Sequence, residues 1–294
     1  MNNREIEAAR AYHEITKHSY TSVRGSPHHL DWDNRPLPYK IYPDAPAIAL
    51  PRDLQLSRMP ALRAISQTVS DSATPLDLDK IARILFCADG LTRHKQAGGE
   101  DYHFRAAPSA GALYPIEIYL AAGEIDGLAP GLYHFSPADL KLRALREGDF
   151  RANLARDTAE SEALLTSGAV LILSSIFWRS AWKYRARAYR YCFWDAGTIL
   201  ANLLAAAVAE EIACEVVTAF IDAEVEQIIG VDGEREAVTC LVAIGKAAPA
   251  VKAAEISRPL EFESAPLSAS EVVYGDLASI NRASRLDTPA EVKE

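Results

Sequence analysis

The chain has 294 residues, 49% of them hydrophobic and 24% charged, which is typical of a globular protein with a sizeable core. A formal net charge of −9 argues against a general nucleic-acid-binding protein, and no apolar run approaches the roughly 20 residues of a membrane-spanning helix. The charged N-terminus lacks the apolar segment of a signal peptide, so the sequence predicts a cytoplasmic protein.

Residues 1–54 are predicted to form a helix over 3–16 followed by an extended arm. Residues 17–53 are rich in proline and alternate aromatic with polar residues, so this segment is expected to lie over another surface rather than build a core. Its histidines lack a regular ligand spacing, and the four cysteines of the chain are widely separated in apolar surroundings. The sequence therefore predicts free thiols and no metal site.

Residues 55–250 are predicted to form the main domain, because apolar residues there recur with the periods of helices and strands. The predicted elements are a helix over 77–88, a strand over 116–122, a hairpin within 131–145, a helix over about 150–165, a buried strand over 168–178, a long helix over 184–212, a short helix over about 222–230 and a last strand over 237–245. Residues 251–294 are polar and are predicted to be a tail or second arm. This mixed order with a hairpin indicates the α+β class, one sheet with helices packed against it.

A loop of small residues precedes the strand over 116–122. The stretch "RAAPSAGALYPIEIYL", residues 105–120, has small side chains at almost every position from Ala106 to Ala112. Such a loop lets a flat or bulky group press against the backbone. The alternative interpretation is a simple turn into the strand.

A basic and aromatic segment, "FWRSAWKYRARAYRYCFWD", covers residues 177–195. It contains five cations and ends at its first acidic residue. The cations are Arg179, Lys183, Arg185, Arg187 and Arg190. Cations at a helix N-terminus oppose the helix dipole, and interleaved aromatic residues are unusual on a solvated face. The segment therefore predicts a binding or catalytic cluster, with a solvated helix terminus or an ordinary buried junction as the alternative.

This clustering has an expected electrostatic consequence for Lys183 and Tyr184. Neighbouring cations disfavour the charged form of a lysine, which predicts a lowered pKa for Lys183. The same cations are expected to make Tyr184 ionise more readily. The pair is therefore a candidate proton-handling unit, although the cations could instead bind a carboxylate or an anionic reduced cofactor.

Several stretches together resemble a known family. "FRAAPSAGALYPIEIYL", "GLYHFSP", "WKYRARAYRY" with "DAGTILANLLAAA", and "AFID" before "VAIG" resemble the nitroreductase superfamily over about residues 55–250. More narrowly, they resemble its SagB-type dehydrogenases, the azoline oxidases of thiazole- and oxazole-containing peptide pathways. The opening "YHEITKHS … LDWDNRPLPYKIYP" resembles the leader of longer members that carry two such domains.

The resemblance implies a nitroreductase-like fold, with a mostly antiparallel central sheet flanked by helices and with extended N- and C-terminal arms. It implies FMN as the cofactor and a Lys-Tyr pair, here Lys183 and Tyr184, that supports catalysis. The residues that it places at the flavin are Arg105, Pro108, Ser109, Ala110, Gly111, Leu113, Thr218 and Ala219. Arg105 is assigned to the ribityl or phosphate part, and Thr218 and Ala219 to a segment whose backbone approaches the flavin edge.

The sequence departs from the family at the flavin phosphate. Many members carry an Arg-Arg-Ser-x-Arg motif, where this chain has "SRMPALRAIS". Arg58 and Arg63 are the remaining candidates, and Lys246 is another cation that could compensate.

The expected function is FMN-dependent dehydrogenation of an azoline-type heterocycle in a peptide or small natural product. The resemblance also implies a homodimer, with a cyclodehydratase as a candidate partner and with no nucleic-acid or membrane partner. Two alternatives stay open: an NAD(P)H-dependent reductase of nitro compounds, quinones or activated alkenes, and a flavin-less scaffold subunit of a modification complex.

Overall fold

The computed structural model describes residues 6–25, 28–70, 75–98, 100–250, 252–256 and 259–294. Its strands are β1 (Ala47–Ala49), β2 (Leu91–Ala97), β3 (Glu100–Arg105), β4 (Ile116–Ala122), β5 (Gly131–Ser136), β6 (Lys141–Glu147), β7 (Ala169–Ile176), β8 (Cys214–Val217) and β9 (Glu236–Ile244). Its helices are α1 (Ile6–Thr16), α2 (Tyr20–Arg24), α3 (Ala61–Ser66), α4 (Leu78–Asp89), α5 (Arg151–Asp157), α6 (Glu162–Leu165), α7 (Phe177–Tyr184), α8 (Ala188–Ala209), α9 (Asp222–Ile229), α10 (Gly275–Ala283) and α11 (Pro289–Lys293).

Seven strands form one central sheet, in the order β1-β6-β5-β4-β7-β9-β8. Each neighbouring pair runs antiparallel. Strands β2 and β3 form a separate antiparallel hairpin. The predicted α+β class is therefore confirmed: one antiparallel sheet with helices packed against it.

The central strands are mostly apolar because helices cover both faces of the sheet. Along β4, Ile118 and Leu120 point to the face that packs against α4 and α8. Tyr119 and Ala121 point to the other face, where they join α5 and α9 in a second core. Strands β4 and β7 are consequently buried along their whole lengths, as a sheet covered on both sides requires.

Most of the predicted elements are confirmed, namely the helix α4, the strand β4, the hairpin β5–β6, the helix α9 and the strand β9. The predicted N-terminal helix is also found as α1, although its expected start at residue 3 lies outside the described residues. The division into 1–54, 55–250 and 251–294 stays a prediction.

Three predicted boundaries are wrong. The helix expected over about 150–165 is divided into α5 and α6, because Ala159 and Glu160 between them have left-handed backbone, with φ of 57° and 68°. The strand expected to reach residue 178 ends at Ile176, and α7 begins at the next residue. Arg185, with φ of 53°, turns the chain between α7 and α8, so the long helix begins at Ala188 rather than at 184.

The sequence patterns missed several short elements. The hairpin β2–β3 is polar, and its side chains from Thr92 to Gln96 are exposed, so no hydrophobic alternation indicated it. Strands β1 and β8 are short edge strands of three and four residues. The tail predicted to be irregular contains α10 and α11, and the arm contains α2. The edge strands form by pairing with β6 and β9, and α2 and α11 begin at capping boxes, so these elements do not depend on an apolar period of their own.

The helical stretch Phe177–Ala209 is long and apolar enough to cross a membrane by length and composition alone. It consists of α7, a short turn and α8, and one side of α8 lies in the core through Ala196, Ile199 and Leu203. A buried core helix passes the same test, so this stretch is weak evidence for a membrane span.

Candidate active site

The small-residue loop is held by the first turns of α8. Asp195 accepts hydrogen bonds from the Ser109 hydroxyl, at 2.6 Å, and from the Ala110 backbone N–H, at 3.2 Å. The Ser109 oxygen in turn accepts a bond from the backbone N–H of Tyr114, at 2.8 Å. One turn further along α8, the Thr198 hydroxyl donates to the Pro108 carbonyl, at 2.9 Å. The loop is therefore held by hydrogen bonds to the Asp195 carboxylate and the Thr198 hydroxyl of α8.

The backbone of this loop needs glycine at its turn. Gly111 has φ of 68°, a conformation that residues with a side chain adopt rarely. The next residue, Ala112, and Tyr114 have φ of 54° and 49°, so left-handed backbone is concentrated here. Such clustering is found at ligand-binding and active sites, where the surrounding structure enforces it.

The loop and the Lys-Tyr pair meet at Gly111. A Cβ atom built at this position would lie 2.8 Å from Tyr184 Oη and 3.1 Å from Lys183 Nζ. The two sequence features, more than 70 positions apart, thus face each other across a gap that only a glycine leaves open. This geometry favours the prediction that the loop and the pair form one site.

Aromatic rings border the pair on its other side. The Tyr184 ring lies 4.3 Å from that of Tyr191, which in turn contacts the ring of Trp194 edge-on at 5.2 Å. Burial raises the pKa of Tyr184, and the neighbouring Tyr191 and Asp195 raise it further. The expectation that Tyr184 ionises more readily is therefore wrong, and its phenol keeps its proton at neutral pH.

The basic segment is not one cationic cluster. Arg179 is fully buried, where its guanidinium pairs with Glu117 and donates to the Tyr114 carbonyl. Arg187 and Arg190 are directed to Thr16 at the end of α1. Cations close together in sequence thus bind to different parts of the fold. The prediction that the cations of residues 177–195 form one cluster around Lys183 is wrong. Within the part of the chain that the structure describes, no acidic residue forms an ion pair with Lys183.

Two of the residues assigned to the flavin lie beneath the surface. The Arg105 side chain is 1% exposed and pairs with Asp89, and its guanidinium also donates to the Pro38 carbonyl. Leu113 is buried and packs with α7. This geometry does not favour the predicted contact of Arg105 with a phosphate group. It also does not favour a flavin contact by the Leu113 side chain, and both assignments stay predictions.

Thr218 and Ala219 follow β8 and lie in a different part of the chain's surface. Thr218 lines a cavity of about 130 Å³ together with Tyr189 and Phe193 of α8. On a helix, positions 189 and 193 point away from position 195, whose carboxylate binds the small-residue loop. The two groups of predicted flavin residues thus lie on opposite sides of the start of α8.

The phosphate candidates are on the surface. Arg58 and Arg63 are exposed, and Arg63 donates to the side chain of Gln67 at 3.2 Å. Lys246 is also exposed. None of the three is shown to form a phosphate site, and this assignment stays a prediction.

Sequence reasoning missed the roles of Asp195 and Thr198. Both belong to the stretch "DAGT" that contributed to the resemblance, without a role attached to either residue. Their partners in the loop are 85 to 90 positions away. The available signal was that Asp195 is the first acidic residue after five cations and directly precedes the apolar part of the predicted long helix.

Comparison with known proteins identifies the family. The sequence model of the nitroreductase family matches residues 72–246. A nitroreductase-type protein of Methanocaldococcus jannaschii, MJ1384, is 27% identical over 157 residues, 53% of this chain and 76% of that protein. The trifolitoxin-processing protein TfxB of Rhizobium leguminosarum bv. trifolii is 33% identical over 141 residues, 45% of this chain and 37% of that protein.

Solved structures show the same fold. A nitroreductase-type protein of Anabaena variabilis superimposes with a TM-score of 0.72 at 26% identity, covering 96% of this chain and 55% of that chain. The present chain thus spans about half the length of the Anabaena protein. A chain of the E. coli microcin synthetase McbBCD complex, solved with truncated pro-MccB17 bound, matches with a TM-score of 0.50 at 19% identity, over 81% of this chain and 86% of that one. At that identity the likeness shows the fold alone.

Proposed function

The chain belongs to the nitroreductase family, and we propose that it is an FMN-dependent dehydrogenase of an azoline-type heterocycle in a peptide or small natural product. Members of this family are FMN-dependent oxidoreductases, and the expected nitroreductase-like fold is confirmed. The observation that carries the finer proposal is the meeting of Lys183 and Tyr184 with the Gly111 loop. Reduction of a nitro group needs no lysine base, whereas removal of a proton from carbon does.

The residues of the loop fit a flavin ring. Pro108 and Gly111 are exposed, and the small side chains of Ser109 and Ala110 leave the backbone between them open to a planar group. A Cβ at Gly111 would lie 3.1 Å from Lys183 Nζ, so the amine lies directly beside the exposed glycine of the loop. When bound, FMN supplies a two-electron acceptor for a hydride that leaves the substrate carbon, and dioxygen is the proposed final acceptor.

Three residues of the site have separate roles in the proposed reaction. The Lys183 amine, in its neutral form, is the proposed base that takes a proton from the substrate ring. Tyr184 keeps its phenolic proton, because burial raises its pKa, so it acts as a hydrogen-bond donor that orients the substrate or the amine. Asp195 acts on the loop rather than on the substrate, since its oxygens are occupied by Ser109 and Ala110.

A homodimer is part of the proposal. The two groups of predicted flavin residues lie on opposite sides of α8, and the proposed role of a second copy is to complete each site by packing against this helix. The surface between them is apolar: Phe193 and Trp194 are 45% and 53% exposed, and Gly197 is also exposed. Two FMN molecules per dimer are expected in sedimentation and flavin-release measurements. A monomer that binds FMN tightly would contradict this part.

One relative supports a role in the modification of natural products. TfxB is named for the processing of trifolitoxin, and the McbBCD complex, a neighbour in fold, is a microcin synthetase. The likeness to TfxB supports a peptide substrate, and the assignment to the SagB-type dehydrogenases and a cyclodehydratase as candidate partner belong to the same proposal. A cytoplasmic location belongs to the same proposal.

A second candidate, an NAD(P)H-dependent reductase, is favoured by the nitroreductase family itself, which matches residues 72–246. Anaerobic mixing of the FMN-loaded protein with an azoline-containing peptide or with NADPH separates the two. Rapid loss of flavin absorbance with the peptide alone is the expected result. Bleaching by NADPH alone overturns the proposal in favour of the reductase. Protein that stays colourless after incubation with excess FMN overturns both and leaves the scaffold alternative.

A further inference from the structure

Both terminal segments of the chain contact the helix that ends in Lys183 and Tyr184. From the N-terminal side, the carbonyl of Asp31 accepts a hydrogen bond from the Trp182 indole N–H at 2.8 Å. Trp32 contacts the Trp182 ring edge-on at 5.2 Å between centroids. The His28 Nε2 atom lies 3.3 Å from the Trp182 carbonyl oxygen. The residue directly before Lys183 is therefore bound at its ring and at its backbone.

The C-terminal segment contacts the same helix one turn earlier. The Trp178 indole N–H donates to the Ser268 hydroxyl at 2.8 Å. Leu267, Leu277 and Ile280 lie with α7 in one buried apolar cluster, which also contains Tyr12 of α1. The helix thus packs against residues from both ends of the sequence.

The turn that follows the pair is also anchored. The Tyr12 hydroxyl of α1 donates to the carbonyl of Ala186 at 2.9 Å. Lys183 and Tyr184 therefore lie between two positions, 182 and 186, that are both bound by the N-terminal segment. That segment lies wholly before residue 72, outside the region that matches the family.

We propose that the N-terminal segment positions the Lys183–Tyr184 pair against Gly111, and that the contacts of Trp182 with Asp31 and Trp32 are the principal tie. This inference rests on the proposed function for its effect on catalysis. An added Cβ at Gly111 would lie only 3.1 Å from Lys183 Nζ, so the amine lies directly beside the glycine and a small rotation of the end of α7 changes where the amine lies. A misplacement of about 1 Å in a reacting group costs on the order of a hundredfold in rate.

The test compares two tryptophans of the same helix. Trp182→Phe removes the indole N–H group, and with it the hydrogen bond to Asp31, next to Lys183. Trp178→Phe is the matched control, because it removes an indole hydrogen bond of equal length one turn away. Trp32→Ala removes the contact from the arm side. Trp32 is 60% exposed, so its loss does not endanger folding. Two readouts are taken on FMN-loaded protein: kcat and KM for azoline oxidation, and the carbon-13 signal of methylated Lys183, assigned by its absence in Lys183→Arg.

With Trp182→Phe and Trp32→Ala, kcat is expected to fall by about tenfold to a hundredfold, with KM and flavin content within twofold and the Lys183 signal shifted. Trp178→Phe is expected to leave both readouts unchanged, even where it lowers the melting temperature equally. An unchanged Lys183 signal and kcat in both Trp182→Phe and Trp32→Ala overturns the inference. The signal does not depend on turnover, so it tests the positioning even in a protein that oxidises no azoline.

Discussion

Replacement of Gly111 tests whether the small-residue loop forms the flavin site. Gly111→Ala forces a residue with a side chain into a backbone with φ of 68°, at a cost of roughly 1–2 kcal/mol of stability. For a chain of this size, each kcal/mol lowers the melting temperature by about 2–4 °C. The protein should therefore still fold.

The effect on the site should exceed the effect on the fold. The new Cβ would approach Tyr184 Oη to 2.8 Å and Lys183 Nζ to 3.1 Å, both tighter than ordinary contact. The two side chains can withdraw only by moving roughly half an ångström or more, away from the positions proposed for catalysis. We expect azoline oxidation by Gly111→Ala to fall by about tenfold to a hundredfold. Gly111→Val should abolish flavin binding, because its branched side chain occupies space meant for the ring.

Gly98 provides the matched control. It has φ of 64°, but a Cβ there would meet no atom within 4 Å. Gly98→Ala should therefore cost the same backbone strain and leave flavin content and turnover unchanged. Flavin content is measured by absorbance after release, and stability by thermal unfolding of the flavin-free proteins. A folded Gly111→Val protein with full flavin content would refute the reasoning, since the loop would then not contact the cofactor.

Three further predictions concern the pair and the buried network. Lys183→Ala should lower azoline oxidation about a hundredfold or more with flavin retained, Lys183→Arg should not restore it, and both should leave reduction by NAD(P)H nearly unaffected in stopped-flow assays. Tyr184→Phe should cost less, by a factor that stays constant between about pH 7 and 9, because the raised pKa keeps the phenol protonated across a pH–rate profile. Glu117→Gln should destabilise the fold by about 3–5 kcal/mol in urea unfolding, since it leaves the Arg179 charge buried and unpaired. Burial alone would raise the pKa of Glu117, but Arg179 and His134 hold it well below its usual range, so this difference should be complete above about pH 5 and shrink at lower pH.

The main elements of the core could be predicted because the apolar patterns that indicate them lie within short stretches of sequence. Strand β7 is a continuous apolar run, and Ile199 and Leu203 of α8 recur at helical spacing, so each pattern was visible within a dozen residues. The small-residue loop and the Lys183–Tyr184 pair are also visible locally, whereas their assignment to one flavin site follows from the resemblance. That Lys183 and Gly111 face each other follows from the packing of α7 and the loop, which no local pattern contains.

The elements that were missed depend on distant partners. Strand β1 exists because it pairs with β6, almost a hundred positions later, and its three residues carry no pattern of their own. The electrostatic error has the same origin. Arg179 and Arg190 are eleven positions apart in a segment without acidic residues, yet Glu117 neutralises the first and Thr16 binds the second. Sequence proximity indicated mutual repulsion where the fold supplies separate partners.

The unusual composition of residues 177–195 has a physical explanation in the position of α7. Successive residues of a helix point about 100° apart, so neighbours in sequence face different surroundings. Arg179 and Trp182 face the buried network and the N-terminal segment, whereas Lys183 and Tyr184 face Gly111. A helix with charged partners on one side and a site on the other needs both long cations and rings that donate hydrogen bonds. Loss of the Trp182 contacts should therefore move the adjacent Lys183 without any change in the residues of the site itself, whereas loss of the Trp178 hydrogen bond one turn away should not.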